Sequence, residues 1–213
     1  MSLTAATLAR IRAEIAAGSS LFADRLAPGG PPDPAGFADL LAAACPNLGK
    51  NYGFALEYIF EGFLLHYRQG RLLGPSTPEF NLLAGDYMYA RGLTYLAELE
   101  DLYCIRLMAD LVSLCSFIHC EDRDSARSFN AWVAATACLA GRAAGRPGDD
   151  CLASFNRFKS NMMGGKSEAA LSPAALAEFT AGFPGGARKL DDLLAALESL
   201  YWRAPGEKFQ HGD

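Results

Sequence analysis

Apolar residues recur at every third or fourth position along most of the chain, and this spacing predicts amphipathic helices. Leu8, Ile11 and Ile15 mark the first helix, within residues 3–26, and a segment rich in Pro and Gly follows it at residues 28–34. The pattern and its breaks predict further helices at residues 35–45, 53–71, 82–101, 102–120, 125–145, 151–163, 173–181 and 186–202. The sequence therefore predicts an all-α fold of about eight or nine helices.

Length and composition agree with this fold class. The 213 residues suit one domain, in which we expect an N-terminal helix within residues 1–27, a linker at 28–34, a helical bundle at 35–202 and a frayed tail at 203–213. Hydrophobic residues make up 51% of the chain, with abundant Ala and Leu and little of the strand-forming Val and Ile. We therefore expect a single all-helical domain with a sizeable core.

Charge and cysteine content argue against several classes of function. The net charge is −5 and no basic stripe is visible, so we expect neither nucleic-acid binding nor attachment to an anionic membrane by charge. The most apolar long stretch, residues 102–118, contains Arg106 and Asp110, so stable membrane insertion is not expected. The N-terminal segment lacks the apolar core of a signal peptide, and the six cysteines form no CxxC pair. These features predict a cytoplasmic protein with buried, reduced cysteines.

Residues 82–101, LLAGDYMYARGLTYLAELED, combine a helical pattern with a glycine and an acid among apolar positions. Glycine inside a helix costs about 1 kcal/mol relative to alanine, and it is typical of places where another backbone approaches closely. Small residues recur along this helix, and tyrosines add aromatic area with polar tips. Asp86 is flanked by apolar residues, so we expect it to be partly buried and hydrogen-bonded. The stretch predicts a central helix in tight contact with a helix of the same chain or of another subunit.

The segment GDYMYAR, residues 85–91, resembles the GDY-L-ARA stretch of the trans-polyprenyl diphosphate synthases, which are all-helical dimers of the isoprenoid-synthase fold. ALEYIFEGFLLHY (55–67) is similar to the helix that leads into the first aspartate-rich motif of that family. The resemblance extends to AATACLAGRAAG (134–145), CLASFNRFKSNMMGG (151–165) and GGARKLDDLLAALESLYW (185–202). It implies a helical bundle of the isoprenoid-synthase type.

The chemistry of that family depends on residues that this chain lacks. The reaction ionises an allylic diphosphate, and clustered Mg²⁺ ions held by two DDxxD-type motifs neutralise the leaving group. Where the first motif is expected, this chain has His66, Tyr67 and Arg68. Where the second is expected, SNMMGGKSE (160–168) contains no aspartate. The resemblance therefore implies no catalytic, metal or cofactor residues here, with Mg²⁺ held only by a catalytic partner.

Some members of the family pair a large catalytic subunit with a degenerate small subunit that lacks both motifs. This chain is similar to the small-subunit type, which implies a non-catalytic subunit of a heterodimeric polyprenyl diphosphate synthase. Its implied partner is a catalytic prenyltransferase or a second copy of the chain. The implied interface residues, all on the helix that carries GDYMYAR, are Gly85, Asp86, Tyr87, Tyr89, Ala90 and Arg91.

Two other functions fit the same sequence. A lipid-binding protein on this fold would keep an apolar tunnel for a prenyl chain, and its candidate lining residues are Phe60, Phe63 and Leu64. An enzyme with a rewired site would use the polar residues that share the helix and its end, namely Glu57, Glu61, His66 and Arg68. For those residues, however, we favour a pair of surface salt bridges without catalytic function.

Two structural alternatives concern single residues. Cys115, His119 and Cys120 are close enough in sequence for a soft-metal site, although such a cluster at a helix end is more often structural. Alternatively, Asp86 is a core acid that hydrogen-bonds to a neighbouring helix of the same chain, and it does not lie at a subunit interface. In that case Asp86→Ala would destabilise the monomer without changing its assembly.

Overall fold

The structure is a computed structural model, and it describes residues 2–18, 20–28, 36–121, 125–143, 145, 147–164, 192 and 194–197. Several sequence predictions lie wholly or mostly outside these residues: all but the first residue of the linker at 28–34, the helix at 173–181, most of the helix at 186–202 and the tail at 203–213. The loop that should carry the second aspartate-rich motif is described only as far as Gly164.

The described residues form eight α-helices: α1 (Leu3–Gly18), α2 (Ser20–Ala23), α3 (Phe37–Ala44), α4 (Pro46–Tyr67), α5 (Pro78–Glu98), α6 (Leu102–Glu121), α7 (Ser125–Ala143) and α8 (Gly148–Met163). Within the same residues the extended chain pairs at a single antiparallel bridge, between Leu26 and Leu73. The prediction of an all-α fold is therefore confirmed.

Helix α4 lies at the centre of the fold. Fourteen of its 22 residues are buried, including every residue from Gly53 to Leu65. A helix that is buried on all sides must be covered by several neighbours, and α4 packs against α1, α3, α5 and α6. Because α4 also carries the candidate residues Glu57, Glu61 and His66, its neighbours determine which of these can reach solvent.

Two hydrophobic clusters lie against different sides of α4. The larger cluster joins α3, α4, α6 and α7, and Trp132 at its centre packs against the rings of Phe37 and Phe60, at centroid distances of 5.0 and 4.9 Å. The smaller cluster joins α1, α2, α4 and α5, and it includes Leu8 and Met88. Together they bury both sides of the central helix and hold α5 beside it.

The boundaries of α4 differ from the prediction at both ends. The helix begins at Pro46, which suits a first helical position because proline has no N–H to leave unpaired, and not at residue 53. A Cβ on Gly49 would lie 2.5 Å from the Cβ of Ala42, so α3 and α4 approach closely there. The helix ends at Tyr67, because Arg68 adopts an extended conformation and turns the chain back along α4.

Helix α6 is long and apolar enough to cross a membrane by length and composition alone. Core helices of soluble proteins meet the same criterion. One side of α6, which includes Leu107, Leu111 and Ile118, is buried against the rest of the protein. We therefore describe α6 as a core helix.

Candidate functional site

The segment GDYMYAR lies within α5 and presents three different faces. Gly85 and Tyr89 face α4, and Tyr87 and Arg91 face the N-terminal helices. The two remaining predicted interface residues, Asp86 and Ala90, are exposed. Because seven consecutive residues cover nearly two helical turns, neighbouring positions of this motif perform different structural roles.

The face towards α4 explains the glycine. A Cβ on Gly85 would lie 2.6 Å from Nε2 of His66 and 3.2 Å from the carbonyl oxygen of Gly62. A Cβ on Gly62 would lie 2.9 Å from the carbonyl oxygen of Gly85, so the two glycines allow the two backbones to approach each other. The close approach predicted at Gly85 thus occurs between α4 and α5 of one chain.

The second face anchors the N-terminal helices. The ring of Tyr87 lies 4.8 Å from the ring of Phe22 in α2. Arg91 forms an ion pair with Glu14 of α1 at 3.4 Å, and it donates a hydrogen bond to the hydroxyl of Tyr95 at 3.1 Å. These contacts hold α1 and α2 against α5, so Tyr87 and Arg91 stabilise the fold of the chain itself.

The third face is open to solvent, and the expectation that Asp86 is partly buried is wrong. Its side chain is 69% exposed, because position 86 lies beside the face that contacts α4 and is covered by neither α4 nor α1. Leu82 and Leu83, one turn earlier on α5, are 55% and 52% exposed. Asp86, Ala90 and these two leucines therefore share an outward face of α5.

His66, at the first degenerate motif position, lies beneath this outward face. Its side chain is only 10% exposed, and its ring stacks on Tyr89 with a centroid distance of 5.1 Å. Nε2 of His66 lies 3.2 Å from Oδ1 of Asp86 but makes no hydrogen bond to a described residue. Burial lowers the pKa of His66, and the nearby carboxylate of Asp86 opposes that shift. The imidazole of His66 therefore lies between the buried contact of α4 with α5 and the exposed carboxylate of Asp86.

The other two degenerate motif positions have structural roles. The hydroxyl of Tyr67 lies 2.9 Å from Oγ of Ser116 in α6, within hydrogen-bond distance, and its ring lies 4.3 Å from that of His119. Arg68 ends α4 in an extended conformation. Residues 66–68 thus contribute no carboxylate, which is the ligand type that Mg²⁺ prefers.

Within the described residues, no three His, Cys, Asp or Glu side chains come together as a group that could hold a metal ion. Cys115, His119 and Cys120, the residues of the soft-metal alternative, are thus not brought together in such a group. Cys115 is buried in the core, whereas Cys120 is exposed near the end of α6. Burial raises the pKa of the Cys115 thiol, which disfavours the thiolate that a metal would need.

Glu57 and Glu61 lie together in a buried network, and not in surface salt bridges as predicted. Both side chains are fully buried, and Arg71 reaches back from the segment after α4 to contact both. Nη1 of Arg71 lies 2.7 Å from Oε2 of Glu57, and Nε lies 2.8 Å from Oε2 of Glu61. The predicted partner Arg68 takes no part in these bonds, because the chain turns away from α4 at that residue.

Backbone groups complete the network. The N–H of Ala38 donates to Oε1 of Glu57 at 2.7 Å, and the N–H groups of Arg71 and Leu72 donate to Oε1 of Glu61 at 2.6 and 2.9 Å. The two carboxylates therefore fix α3 and the segment 68–74 onto α4. They are paired and inaccessible, and His66 lies apart from them, so the four residues of the rewired-site alternative form no common site.

The three candidate tunnel residues lie in the core. Phe60, Phe63 and Leu64 have exposures of 0%, 2% and 0%. The rings of Phe60 and Phe63 lie 4.9 and 5.8 Å from that of Trp132. At these described positions the side chains pack against one another and against Trp132.

The sequence did not lead us to name Arg71 or the exposed leucines as candidate residues, although it contains a pattern that indicates each of them. Two glutamates four residues apart in an otherwise apolar helix indicate buried acids, and buried acids require a cation and hydrogen-bond donors. Leu83, Asp86 and Ala90 recur at spacings of three and four, which places them on one helix face. The spacing alone could not show that this face is exposed, because that depends on how α5 packs.

The lowered pKa of His66 predicts that stability depends on pH. The unfolded chain takes up a proton at His66 near the ordinary pKa of about 6.5, whereas the folded chain resists it until a lower pH. The unfolded state therefore binds more protons in this window, and the free energy of unfolding should fall as the pH drops from about 7 to 5. Urea unfolding at several pH values measures this slope.

Two variants test the assignment to His66. His66→Gln should reduce the slope, because it removes the titrating group. Asp86→Asn should steepen it, because the carboxylate that favours the imidazolium is lost. An unchanged slope in His66→Gln would assign the pH dependence to another group.

Comparisons of the chain with protein-family models, with curated proteins and with solved structures found no match. The resemblance to polyprenyl diphosphate synthases thus rests on the residues quoted from the sequence.

Proposed function

We propose that this chain is the cytoplasmic, non-catalytic subunit of a heterodimeric polyprenyl diphosphate synthase, and that it docks its catalytic partner through the outward face of α5. The observation that carries the proposal is the division of GDYMYAR into three faces. Gly85, Tyr87, Tyr89 and Arg91 hold α5 inside the chain, and this leaves Asp86 and Ala90 on an exposed face.

The character of that face supports docking. Leu82 and Leu83 are each more than half exposed at its N-terminal end, and Leu99 is 45% exposed just beyond its C-terminal end. Exposed apolar residues grouped along one helix, rather than scattered singly, are typical of a protein–protein contact. Small side chains between them, such as Ala90, allow another helix to approach closely.

The residues that replace the first metal motif support a non-catalytic role. His66 and Tyr67 pack against neighbouring helices, and the nearest buried acids, Glu57 and Glu61, are both paired with Arg71. None of these groups is placed to hold the Mg²⁺ ions that diphosphate departure requires. The catalytic partner would supply that site.

A turnover assay tests the proposal. Radiolabelled isopentenyl diphosphate, an allylic diphosphate and Mg²⁺ are supplied to the purified chain, to a candidate catalytic subunit from the same organism, and to their mixture. We expect no product from the chain alone and a large gain in the mixture over the catalytic subunit alone. Product formed by the chain alone would overturn the non-catalytic role, and a mixture no more active than the catalytic subunit would overturn the subunit role.

A further inference from the structure

The outward face of α5 has the spacing of a helix-pairing seam. Its exposed residues after the N-terminal turn include Leu83, Asp86, Ala90, Thr94 and Ala97, which follow one another at intervals of three or four. An interval that averages 3.5 residues keeps a stripe facing one partner helix over two heptads. The face is therefore shaped to receive another helix along most of its length.

The acids on α5 outnumber its bases by three to one. Its three acids, Glu79, Asp86 and Glu98, are all exposed. Its single base, Arg91, is only partly exposed and forms an ion pair with Glu14 of α1. The face thus presents a small and apolar seam with an acid at each end and one in the middle, and with no base of its own to offset them.

A second copy of the chain fits such a face poorly in either direction. In a parallel pair of α5 helices each acid would meet itself. In an antiparallel pair centred on the middle of the helix, Glu79 of one copy would lie opposite the end that carries Glu98 in the other. Like charges placed opposite one another across an interface oppose association, whereas opposite charges favour it.

We propose that the outward face of α5 selects a different protein chain over a second copy of its own. The partner is a helix with a small or apolar seam and with Lys or Arg side chains near both ends and the middle of that seam. This inference rests on the proposed function for the partner's identity as a synthase subunit. The charge preference itself follows from α5.

A charge-inverted copy of the same chain is a defined probe for this preference. The variant Glu79→Lys, Asp86→Lys, Glu98→Lys keeps the seam and supplies the basic residues that the inferred partner should have. Sedimentation velocity at 50 mM salt should show that the wild type alone and the variant alone stay monomeric. Their equimolar mixture should associate at least about tenfold more tightly than either alone, and about 500 mM salt should weaken the association.

A matched control inverts three exposed acids elsewhere, in the variant Glu121→Lys, Asp149→Lys, Asp150→Lys. It has the same net charge as the probe but an unaltered α5, so we expect no association with the wild type. Circular dichroism melting curves check that all variants are folded.

Association of the wild type with itself, insensitive to salt, would overturn the inference. So would a mixture with the probe that stays monomeric, or a control that binds as tightly as the probe. These outcomes leave the turnover assay untouched, because a synthase subunit could still dock through another surface. A failed turnover assay, in turn, would leave the measured charge preference of α5 standing.

Discussion

Replacing Arg71 with methionine is expected to lower the free energy of unfolding by about 3–5 kcal/mol. The side chain of Arg71 is 6% exposed and lies between the fully buried carboxylates of Glu57 and Glu61. Methionine fills similar space but leaves two buried acids without a cation. Removing one partner of a buried ion pair is costly because the remaining charge stays desolvated. Equilibrium urea unfolding followed by circular dichroism measures the loss.

Two comparisons make this result specific to the network. Arg68→Met should have a small effect, because the side chain of Arg68 makes no ion pair or hydrogen bond to a described residue, and its backbone N–H, which donates to the carbonyl oxygen of Leu64, is kept. Adding Glu57→Gln and Glu61→Gln to Arg71→Met should recover part of the loss, since the amide oxygens still accept the backbone N–H groups and no charge is buried. If Arg71→Met unfolds as the wild type does, the network has been placed wrongly.

Gly92→Ala is expected to destabilise the protein by about 1–3 kcal/mol, although alanine is the better helix former. A Cβ at this position would lie 2.5 Å from Cγ1 of Ile59 and 2.8 Å from the carbonyl oxygen of Ala55. The first contact can be relieved by a side-chain movement, but the second is with the backbone of α4. Insertion of the methyl group must therefore push α5 away from α4. Urea unfolding measures this loss as well.

Gly18→Ala is the matched control. No atom lies within 4 Å of a Cβ built on Gly18, at the end of α1. The substitution there should be neutral or should stabilise the protein by up to about 1 kcal/mol through helix propensity. Equal effects at the two glycines would mean that α4 and α5 do not approach closely at Gly92.

The fold class could be predicted because it depends on periodicity, and the periodicity of this chain is strongly helical. Helix boundaries could not be predicted from the sequence where tertiary contacts decide them. Gly49 lies between two predicted helices in sequence, yet it lies inside α4, where α3 packs closely against it. The sequence predicts that the helix continues to Arg71, yet the chain leaves α4 at Arg68, and Arg71 contacts two buried acids.

The candidate site was predicted as one motif but is divided by the helix into separate surfaces. The glycine of GDYMYAR indicated a close helix contact, and the structure places that contact within the chain. The acid was expected to be partly buried, because its sequence neighbours are apolar. Neighbours in a helix point in different directions, however, so the burial of Asp86 depended on which faces α1 and α4 cover.

The turnover assay of the mixture, repeated with Ala90→Arg, tests the central claim most directly. Ala90 lies in the middle of the exposed face of α5, where an arginine is tolerated by the fold but obstructs a docking helix. We predict that this variant melts as the wild type does and lowers product formation in the mixture at least about tenfold at limiting concentration, which corresponds to about 1.4 kcal/mol of binding free energy. Ala153→Arg, on the exposed face of α8, should leave the mixture fully active. Full activity with Ala90→Arg would contradict the claim that α5 docks the catalytic subunit.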